Sequence, residues 1–286
     1  MFEASIRRFN IIRYRNYPTY IEVALCDHCN LNCAYCTHCV PLQQTEKFYD
    51  LINFENDFKQ LSKITNGYIK KIHLMGGEPL LNPQINRYLQ IARQNFRKSD
   101  IWIITNGLLL SSMKDDFWNE CKKQNIGINI SSYPVKLNYE KIDENAKKFD
   151  VIVNYESESY RYKDAIKDDE SKGMHLQPYN SNCKTTASYN WNACTSKGCT
   201  YLKEGGKLFM CAQCACINKF NTYFNKNLEV SKNDYLDIYK AKHFREILNY
   251  LKSPIPFCKY CDVDNKKTDL KWKQSERKIE EWYIDK

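Results

Sequence analysis

The sequence contains no apolar run approaching the roughly 20 residues that a membrane-spanning helix needs. Its first residues also lack an apolar stretch long enough for a secretory signal peptide. The chain nevertheless holds 14 cysteines among 286 residues. Because thiols without an export signal indicate a reducing compartment, we expect a cytoplasmic protein that uses its cysteines for metal ligation rather than for disulfides.

Several functional motifs are also absent. The sequence has no Gly-x4-Gly-Lys-Ser loop to cradle phosphates and no Ser-His-Asp set, so neither an ATPase nor a hydrolase of that type is supported. It has no RNA-recognition signature, and we expect no nucleic-acid partner. The net charge of +9 would suit an anionic substrate, but we interpret it as a solvated, lysine-rich surface.

Apolar runs typical of strands alternate with helical patterns through the first half of the chain. The predicted strands are Thr19–Leu25, Ile69–Met75, Ile101–Thr105, Ile126–Ser131 and Val151–Tyr155. The predicted helices lie near Phe54–Thr65, Gln84–Phe96, Lys114–Gln124 and Tyr139–Lys148. Such alternation indicates βαβ units and a parallel sheet of the α/β class. Parallel sheets of this kind place their active sites at the C-terminal ends of the strands.

Three cysteines follow the first predicted strand within the run CNLNCAYC. Cys29, Cys33 and Cys36 have the spacing Cys-x3-Cys-x2-Cys, with the aromatic Tyr35 before the last thiol. Three thiolates so close together can ligate three corners of one [4Fe–4S] cluster, which leaves the fourth iron open to a small molecule. With these residues the chain resembles the radical S-adenosylmethionine (radical SAM) superfamily, in which the open iron binds SAM.

The resemblance implies a fold and a chemistry. The fold would be a partial (βα)6 barrel that occupies residues 1–180, with the polar stretch Glu156–Asn182 as a bridge to a second domain. The reduced cluster would cleave SAM to a 5′-deoxyadenosyl radical, while the protein supplies position and electrostatics. A flavodoxin or a ferredoxin-type protein would be the reductant.

The stretch KKIHLMGGEPLL resembles the GGEP motif of this family. Its residues Gly76, Gly77, Glu78 and Pro79 follow the second predicted strand. The resemblance implies that their backbone and the carboxylate hold the amino group of SAM. Glycines let the backbone approach a ligand closely, and a carboxylate pairs with an ammonium group.

Two further strand ends carry polar residues. DIWIITNG ends in Thr105, Asn106 and Gly107, and the corresponding segment in this family contacts the ribose and carboxylate of SAM. IGINISSYP places Ser131 and Tyr133 after the fourth predicted strand, where cofactor or substrate could bind.

His73 and Tyr133 are the candidate catalytic residues. His73 alternates with Met75 along the second predicted strand, so the two side chains share a face. If that face is the barrel interior, His73 could contact substrate; otherwise it is a core histidine. Tyr133 could donate a proton or a hydrogen atom, or could serve packing alone. His38, beside the cysteine triplet, is either near the cluster or in a surface loop.

Cysteines return after residue 180. The run CTYLKEGGKLFMC predicts a hairpin with strands Thr200–Lys203 and Lys207–Met210 and a Gly205–Gly206 turn. We predict a helix over Tyr235–Leu251, followed by FCKYCD. This order resembles a Twitch domain, the shortened form of the SPASM extension, which holds one auxiliary [4Fe–4S] cluster; here it would span residues 181–286. The resemblance implies as ligands Cys211, Cys258, Cys261 and either Cys194 or Cys199.

Other assignments of these thiols stay open. Four thiolates in two pairs also suit tetrahedral zinc. Cys214 and Cys216 could serve a second metal or could be buried thiols. We interpret Cys26, Cys39 and Cys121 as structural thiols.

We expect the enzyme to abstract hydrogen from a small polar substrate, of carbohydrate type, and to oxidise or epimerise it. A fully ligated auxiliary cluster would then serve as the electron partner. The segment CTHCVPL and the stretch from FNTYFNKNLEV to FCKYCD resemble a branch that we associate with bacterial polysaccharide and glycan biosynthesis. One alternative is a peptide-modifying enzyme, although only 25 residues precede Cys26, too few for a leader-binding domain. Another alternative is a non-catalytic iron–sulfur or zinc scaffold.

Overall fold

A computed structural model describes residues 20–155 and 174–284. Five strands and four helices alternate in the first of these ranges. The strands are β1 (Tyr20–Ala24), β2 (Lys71–Met75), β3 (Asp100–Thr105), β4 (Gly127–Ile130) and β5 (Val153–Tyr155). The helices are α1 (Leu51–Ile64), α2 (Ile85–Asn95), α3 (Asp115–Gln124) and α4 (Tyr139–Phe149). The α/β class and every one of these predicted elements are confirmed, with ends that differ by a few residues.

The five strands pair in parallel in the order β5-β4-β3-β2-β1. Side chains alternate along them, as the period of a strand requires. In β2, Ile72 and Leu74 are buried against the helices. His73 and Met75 point to the other face and line a cavity inside the curved sheet. The prediction that these two residues share a face is therefore confirmed, and that face is the barrel interior.

The helices cover the outer face because each has an apolar stripe. In α1, Phe54, Phe58 and Leu61 recur at intervals of three and four residues and are almost fully buried. Phe58 packs edge-on against Phe96 beyond the end of α2. The start of α1 is fixed by Asp50, whose side chain accepts a hydrogen bond from the backbone N–H of Asn53 at 2.9 Å.

The second described range adds five strands and three helices. The strands are β6 (Met174–Leu176), β7 (Tyr201–Lys203), β8 (Lys207–Phe209), β9 (Tyr235–Asp237) and β10 (Lys267–Leu270). The helices are α5 (Ala187–Ala193), α6 (Ala212–Phe224) and α7 (Phe244–Tyr250). The predicted hairpin is confirmed as β7 and β8. It extends the main sheet, because β7 pairs in parallel with β1.

The predicted helix over Tyr235–Leu251 is wrong in its first half. Tyr235–Asp237 forms β9, which pairs antiparallel with β8. Helix α7 begins only after His243, which forms a capping box with Glu246. The sheet edge offered by β8 therefore overrides the local helical pattern. Helix α6, which carries Cys214 and Cys216, was not predicted.

Two apolar cores lie in the described residues. The first lies between the parallel strands and α1–α4, and it includes Leu202 and Leu208 from the hairpin. The second is built around Tyr179, Phe220 and Phe257. Most of the predicted bridge lies outside the described residues, and the division of the chain near residue 180 stays a prediction. No helix among the described residues combines the length and the apolar character needed to cross a membrane.

Candidate functional site

The loops after β1 and β2 meet at the C-terminal edge of the parallel strands. The loop after β1 carries the cysteine triplet, and the Gly-Gly segment after β2 packs directly against it. Gly77 N–H donates to the carbonyl of Cys26, and Glu78 N–H donates to the carbonyl of His28, both at 2.9 Å. A Cβ atom on Gly76 would lie 2.4 Å from the Cys26 carbonyl oxygen, and φ of Gly76 is +147°. Only glycine permits this close contact between the two loops.

The cysteine triplet is held by contacts from several parts of the chain. The indole N–H of Trp272 donates to Cys33 Sγ at 3.1 Å. The side-chain amide of Asn106 lies 3.6 Å from Cys29 Sγ and donates to Asn30 at 2.8 Å. These contacts bring the three thiols to one side of the cavity described below, where the sequence predicted a cluster site.

The pKa values of the three thiols are shifted in different directions. Burial raises the pKa of Cys29 to about 11 and that of Cys33 to about 12. Burial would also raise the pKa of Cys36, but a hydrogen bond and the charge of His38 outweigh it and lower that pKa. Because a metal binds the thiolate, cluster assembly must release the protons of Cys29 and Cys33.

A cavity of about 450 Å³ lies inside the curved sheet beside the triplet. Its volume is in the range of small-molecule sites, about 300–1,000 Å³. Among the predicted site residues, it is lined by Cys29, Cys33, Tyr35, Cys36, His73, Gly76, Gly77, Thr105, Asn106, Ser131 and Tyr133. One cavity thus collects residues from four different strand ends.

Glu78, Pro79 and Gly107 do not line this cavity. Glu78 is fully buried, and its carboxylate accepts hydrogen bonds from the hydroxyl of Thr105 at 2.7 Å and the backbone N–H of Asn106 at 2.8 Å. The expectation that this carboxylate holds the amino group of SAM therefore differs from its placement. It instead ties the end of β2 to the end of β3. Burial raises the pKa of Glu78 to about 7, against the opposing effect of these hydrogen bonds.

A hydrogen-bonded set of side chains lies deeper in the same cavity. Tyr20 O–H donates to Glu22 at 2.7 Å and lies 2.9 Å from Nδ1 of His73. Glu22 also faces His38, with 3.8 Å between Oε2 and Nε2. Tyr20 and Glu22 were not predicted from the sequence. The signal that could have found them is their alternation on β1, which places both on the same interior face as His73.

The end of the chain covers the cysteine loop, a contact that was not predicted from the sequence either. Besides the contact of Trp272 with Cys33, the indole N–H of Trp282 donates to the Cys36 carbonyl at 2.8 Å. The ammonium group of Lys273 lies 6.0 Å from the ring centre of Tyr35. Backbone hydrogen bonds join this segment to Ala34 and Asn32. These contacts link residues more than 200 positions apart, which no local pattern reveals.

A second group of thiols lies in the C-terminal part. The pKa of Cys261 is raised, first by burial and then by the nearby charges of Cys211, Cys258 and Cys194. The same mutual effect links Cys258 to Cys194. Cys199 is less central: its pKa rises to about 11 through burial and through Glu22 and Cys194. The charge of Cys194 thus raises the pKa of Cys211, Cys258 and Cys261, whereas the charge of Cys199 raises that of Cys211.

Cys26, Cys39 and Cys121, which we interpreted as structural thiols, are buried, and so are Cys214 and Cys216. Neither thiol group has the geometry of a single-ion site, since no three His, Cys, Asp or Glu side chains of the described residues are so arranged.

Residues 23–160 match the family model described as "Radical SAM superfamily". Among curated proteins, the GTP 3′,8-cyclase of Clostridium acetobutylicum is 34% identical over 99 residues, which are 34% of this chain and 30% of that protein. The GTP 3′,8-cyclase of Aliarcobacter butzleri is 31% identical over 94 residues, 33% of this chain and 29% of that protein. The chain thus spans about a third of the length of the curated relatives it matches.

Two solved structures share the fold. BtrN in complex with AdoMet and 2-DOIA has a TM-score of 0.51 at 16% identity, over 85% of this chain and 92% of that chain. Native anSMEcpe with bound AdoMet has a TM-score of 0.50 at 14% identity, over 85% of this chain and 83% of that chain. At these identities the likeness shows the fold alone, and it agrees with the predicted partial barrel.

Proposed function

Because residues 23–160 belong to the radical SAM superfamily, we propose that Cys29, Cys33 and Cys36 hold a [4Fe–4S] cluster whose open iron binds SAM. When bound, these groups supply the 5′-deoxyadenosyl radical that abstracts hydrogen from a substrate. The observation that carries the proposal is the meeting of three thiols with one cavity at the C-terminal edge of the parallel strands.

The residues around the thiols fit a SAM molecule in chemical terms. The backbone of Gly76 and Gly77 reaches the cavity without side chains in the way. Thr105, Asn106 and Ser131 add polar groups to the lining. We assign the amino group and ribose of SAM to these residues, and we assign to Glu78 the role of holding the loops in position.

For the second thiol group we propose an auxiliary [4Fe–4S] cluster ligated by Cys194, Cys211, Cys258 and Cys261. The support is the electrostatic effect of Cys194 on the pKa of Cys211, Cys258 and Cys261. Four thiolates would complete the ligand set of such a cluster. A fully ligated cluster suits electron transfer, which is what an oxidation of the substrate requires. Zinc, the alternative that the sequence left open, has less support, because no three His, Cys, Asp or Glu side chains of the described residues are arranged to hold a single ion.

We propose a small polar substrate of carbohydrate type that is oxidised or epimerised. The support is the lining of the cavity, where His73, Tyr133, Asn129 and His175 offer hydrogen-bonding groups to a ligand rich in hydroxyls. The peptide-modifying and scaffold alternatives have no comparable observation in the described residues.

A nucleotide substrate is a second candidate, because one observation favours it. A cavity of about 200 Å³ adjoins the first at Tyr35 and is lined by Lys267, Lys273 and Lys278, together with Glu280 and Glu281. Ammonium groups there could pair with phosphates. The curated relatives with shared sequence are named as enzymes of GTP, although they match only about a third of their length.

The decisive experiment is anaerobic reconstitution, with iron and sulfide counted per chain and 5′-deoxyadenosine assayed after addition of dithionite and SAM. We expect about eight irons, as two [4Fe–4S] clusters require, and formation of 5′-deoxyadenosine. The Cys33→Ser variant should lose about half of the iron and all of the 5′-deoxyadenosine. Cys121→Ala, which removes a buried thiol of α3, is the matched control and should retain both.

Three other outcomes would change the conclusion. Four irons with one zinc would preserve the radical chemistry and remove the auxiliary electron partner. Bound iron without 5′-deoxyadenosine, even with sugars, nucleotides and peptides added, would refute the proposed radical SAM activity. Stimulation of SAM cleavage by a nucleotide but not by unphosphorylated sugars would favour the second candidate substrate.

A further inference from the structure

The side chains of Tyr20, Glu22 and His73 form one hydrogen-bonded chain on neighbouring strands. Glu22 of β1 lies directly beside His73 of β2 in the parallel register. Tyr20 O–H donates to Oε1 of Glu22 at 2.7 Å, and the same hydroxyl lies 2.9 Å from Nδ1 of His73. The rings of Tyr20 and His73 meet edge to face, with 4.8 Å between their centres. All three residues line the large cavity.

The position of each proton follows from counting donors. A tyrosine hydroxyl has one proton, and here it is directed to Glu22. Burial raises the pKa of Tyr20, so the phenol keeps that proton. The tyrosine oxygen can therefore interact with His73 only as an acceptor, and Nδ1 of His73 must carry a hydrogen.

The other ring nitrogen of His73 is then a bare acceptor. Burial lowers the pKa of His73 to about 4, so the ring is neutral near pH 7 and holds one proton in total. With that proton on Nδ1, Nε2 presents a lone pair. Within the described ranges 20–155 and 174–284, no residue donates a hydrogen bond to this Nε2.

We propose that Nε2 of His73 accepts a hydrogen bond from a hydroxyl group of the substrate, and that Tyr20 and Glu22 are positioning residues that fix the tautomer. The carboxylate sets the direction of the tyrosine hydroxyl, and the tyrosine sets the proton on the imidazole. This assignment rests on the proposed function for the presence of a substrate in the cavity. The assignment goes beyond the proposed function because it selects substrates that present a hydrogen-bond donor to His73.

The tautomer of His73 can be measured directly. Protein with ¹⁵N-labelled histidine is reconstituted anaerobically, and its ring nitrogens are recorded by long-range ¹H–¹⁵N correlation at pH 7.5. The chain has only five histidines, so the His73→Gln variant identifies the signal by its loss. A protonated and a bare ring nitrogen differ clearly in chemical shift, so the pattern identifies the tautomer.

We expect wild-type His73 to be a single tautomer with the proton on Nδ1. Tyr20→Phe and Glu22→Gln should each convert it to a mixture of tautomers. Tyr189→Phe removes a hydroxyl from an exposed tyrosine elsewhere and should leave the signal unchanged. Two variants are used because either one alone could disturb β1, and the far-ultraviolet circular dichroism of each verifies its fold.

A proton on Nε2 in the wild type would overturn the proposal, and so would an unchanged tautomer in both variants. The measurement needs neither SAM nor substrate. An enzyme that forms no 5′-deoxyadenosine would therefore refute the proposed function, whereas a wrong tautomer would refute only the role of this hydrogen-bonded chain.

Discussion

The carboxylate of Glu78 accepts three hydrogen bonds, from Thr105 Oγ1, Asn106 N–H and Leu80 N–H, and is fully shielded from solvent. Glu78, which the family resemblance assigned to the cofactor, thus stabilises the contact between the ends of β2 and β3. A buried acceptor with this many donors cannot be replaced by an amide without conflict, because one N–H group would face another.

Glu78→Gln should therefore lower the free energy of unfolding by about 1–3 kcal/mol, because at least one buried donor loses its acceptor. Glu55→Gln, at an exposed glutamate on α1, should change it by less than about 0.5 kcal/mol. Anaerobic chemical denaturation of both variants provides the comparison. Equal effects at the two positions would show that the carboxylate does not connect the loops.

His73 should make stability depend on pH. Burial lowers its pKa to about 4, and the charge of Lys71 acts in the same direction. The charges of Glu22 and Asp100 oppose this shift. Since the unfolded chain protonates near pH 6.5 and the folded one near 4, stability falls as the pH decreases through this window. From pH 7.5 to 5.5 the loss due to this histidine is about 1 kcal/mol.

Between these two pH values, the free energy of unfolding of His73→Gln should therefore fall by about 1 kcal/mol less than that of the wild type. Glu78 has the opposite sign, because its raised pKa adds stability as the pH falls below 7, but it contributes equally to both proteins. The measurement is the difference between their unfolding free energies at the two pH values. A parallel pH response of the two proteins would contradict a neutral, buried His73.

At the scale of elements, the β7–β8 hairpin is attached to α1 by its turn. The N–H groups of Gly205 and Gly206 both donate to Oδ2 of Asp57 at 2.9 Å, and Tyr239 O–H donates to Oδ1 at 2.6 Å. Both glycines have positive φ, but only Gly206 is crowded: an added Cβ would lie 2.6 Å from the Tyr239 ring.

Gly205→Ala and Gly206→Ala form a matched pair. In each variant the free energy of unfolding should fall by about 1 kcal/mol, since alanine resists a positive φ. In Gly206→Ala it should fall by at least about 1 kcal/mol more, because the methyl group displaces Tyr239 from Asp57. Thermal unfolding of the pair tests this difference. Similar melting temperatures would mean that the turn relaxes freely at both positions.

The loop between α5 and β7 contains both candidates for the first auxiliary ligand. Cys194 influences the pKa of Cys211, Cys258 and Cys261, whereas Cys199 influences that of Cys211 and is itself influenced by Glu22 of β1. We therefore predict that Cys194→Ser loses about four of eight irons after reconstitution, while Cys199→Ser retains them. Iron and sulfide analysis with electron paramagnetic resonance measures this. Loss of iron in Cys199→Ser alone would reverse the assignment.

At the scale of the whole molecule, the auxiliary thiols come from three separate segments: the end of α5, the start of α6 and the turn Pro256–Tyr260 with Cys261. A cluster would join these segments, and its binding energy would add to folding. The parallel strands, by contrast, pack on the first apolar core, which contains none of these thiols.

Removal of iron by an anaerobic chelator should therefore speed amide hydrogen exchange around Cys194, Cys211 and Cys258. Exchange in β2 and β3 should change little, because their hydrogen bonds lie within the first core. Mass spectrometry of peptides from the loaded and depleted protein measures both regions. A uniform increase across the chain would indicate that the two parts unfold as one unit.

Local patterns determined much of this protein. Alternation of apolar residues predicted β1–β5 and α1–α4, and close spacing indicated Cys29, Cys33 and Cys36 as candidate cluster ligands. Both features depend on neighbours in sequence. The face shared by His73 and Met75 followed from the period of a strand. The helix predicted over Tyr235–Leu251 was wrong in its first half because the free edge of β8 recruits Tyr235–Asp237.

Only the tertiary structure decided which distant groups meet. Tyr20 and His73 are 53 positions apart, and their hydrogen bond exists because parallel pairing places β1 beside β2. Trp272 reaches Cys33 across 239 positions, and the fold brings Cys194 near enough to Cys261 to raise its pKa. Burial then determines the protonation of His73 and Glu78. A sequence specifies residue types at fixed spacing, whereas hydrogen-bond partners and desolvation arise only when the chain is folded.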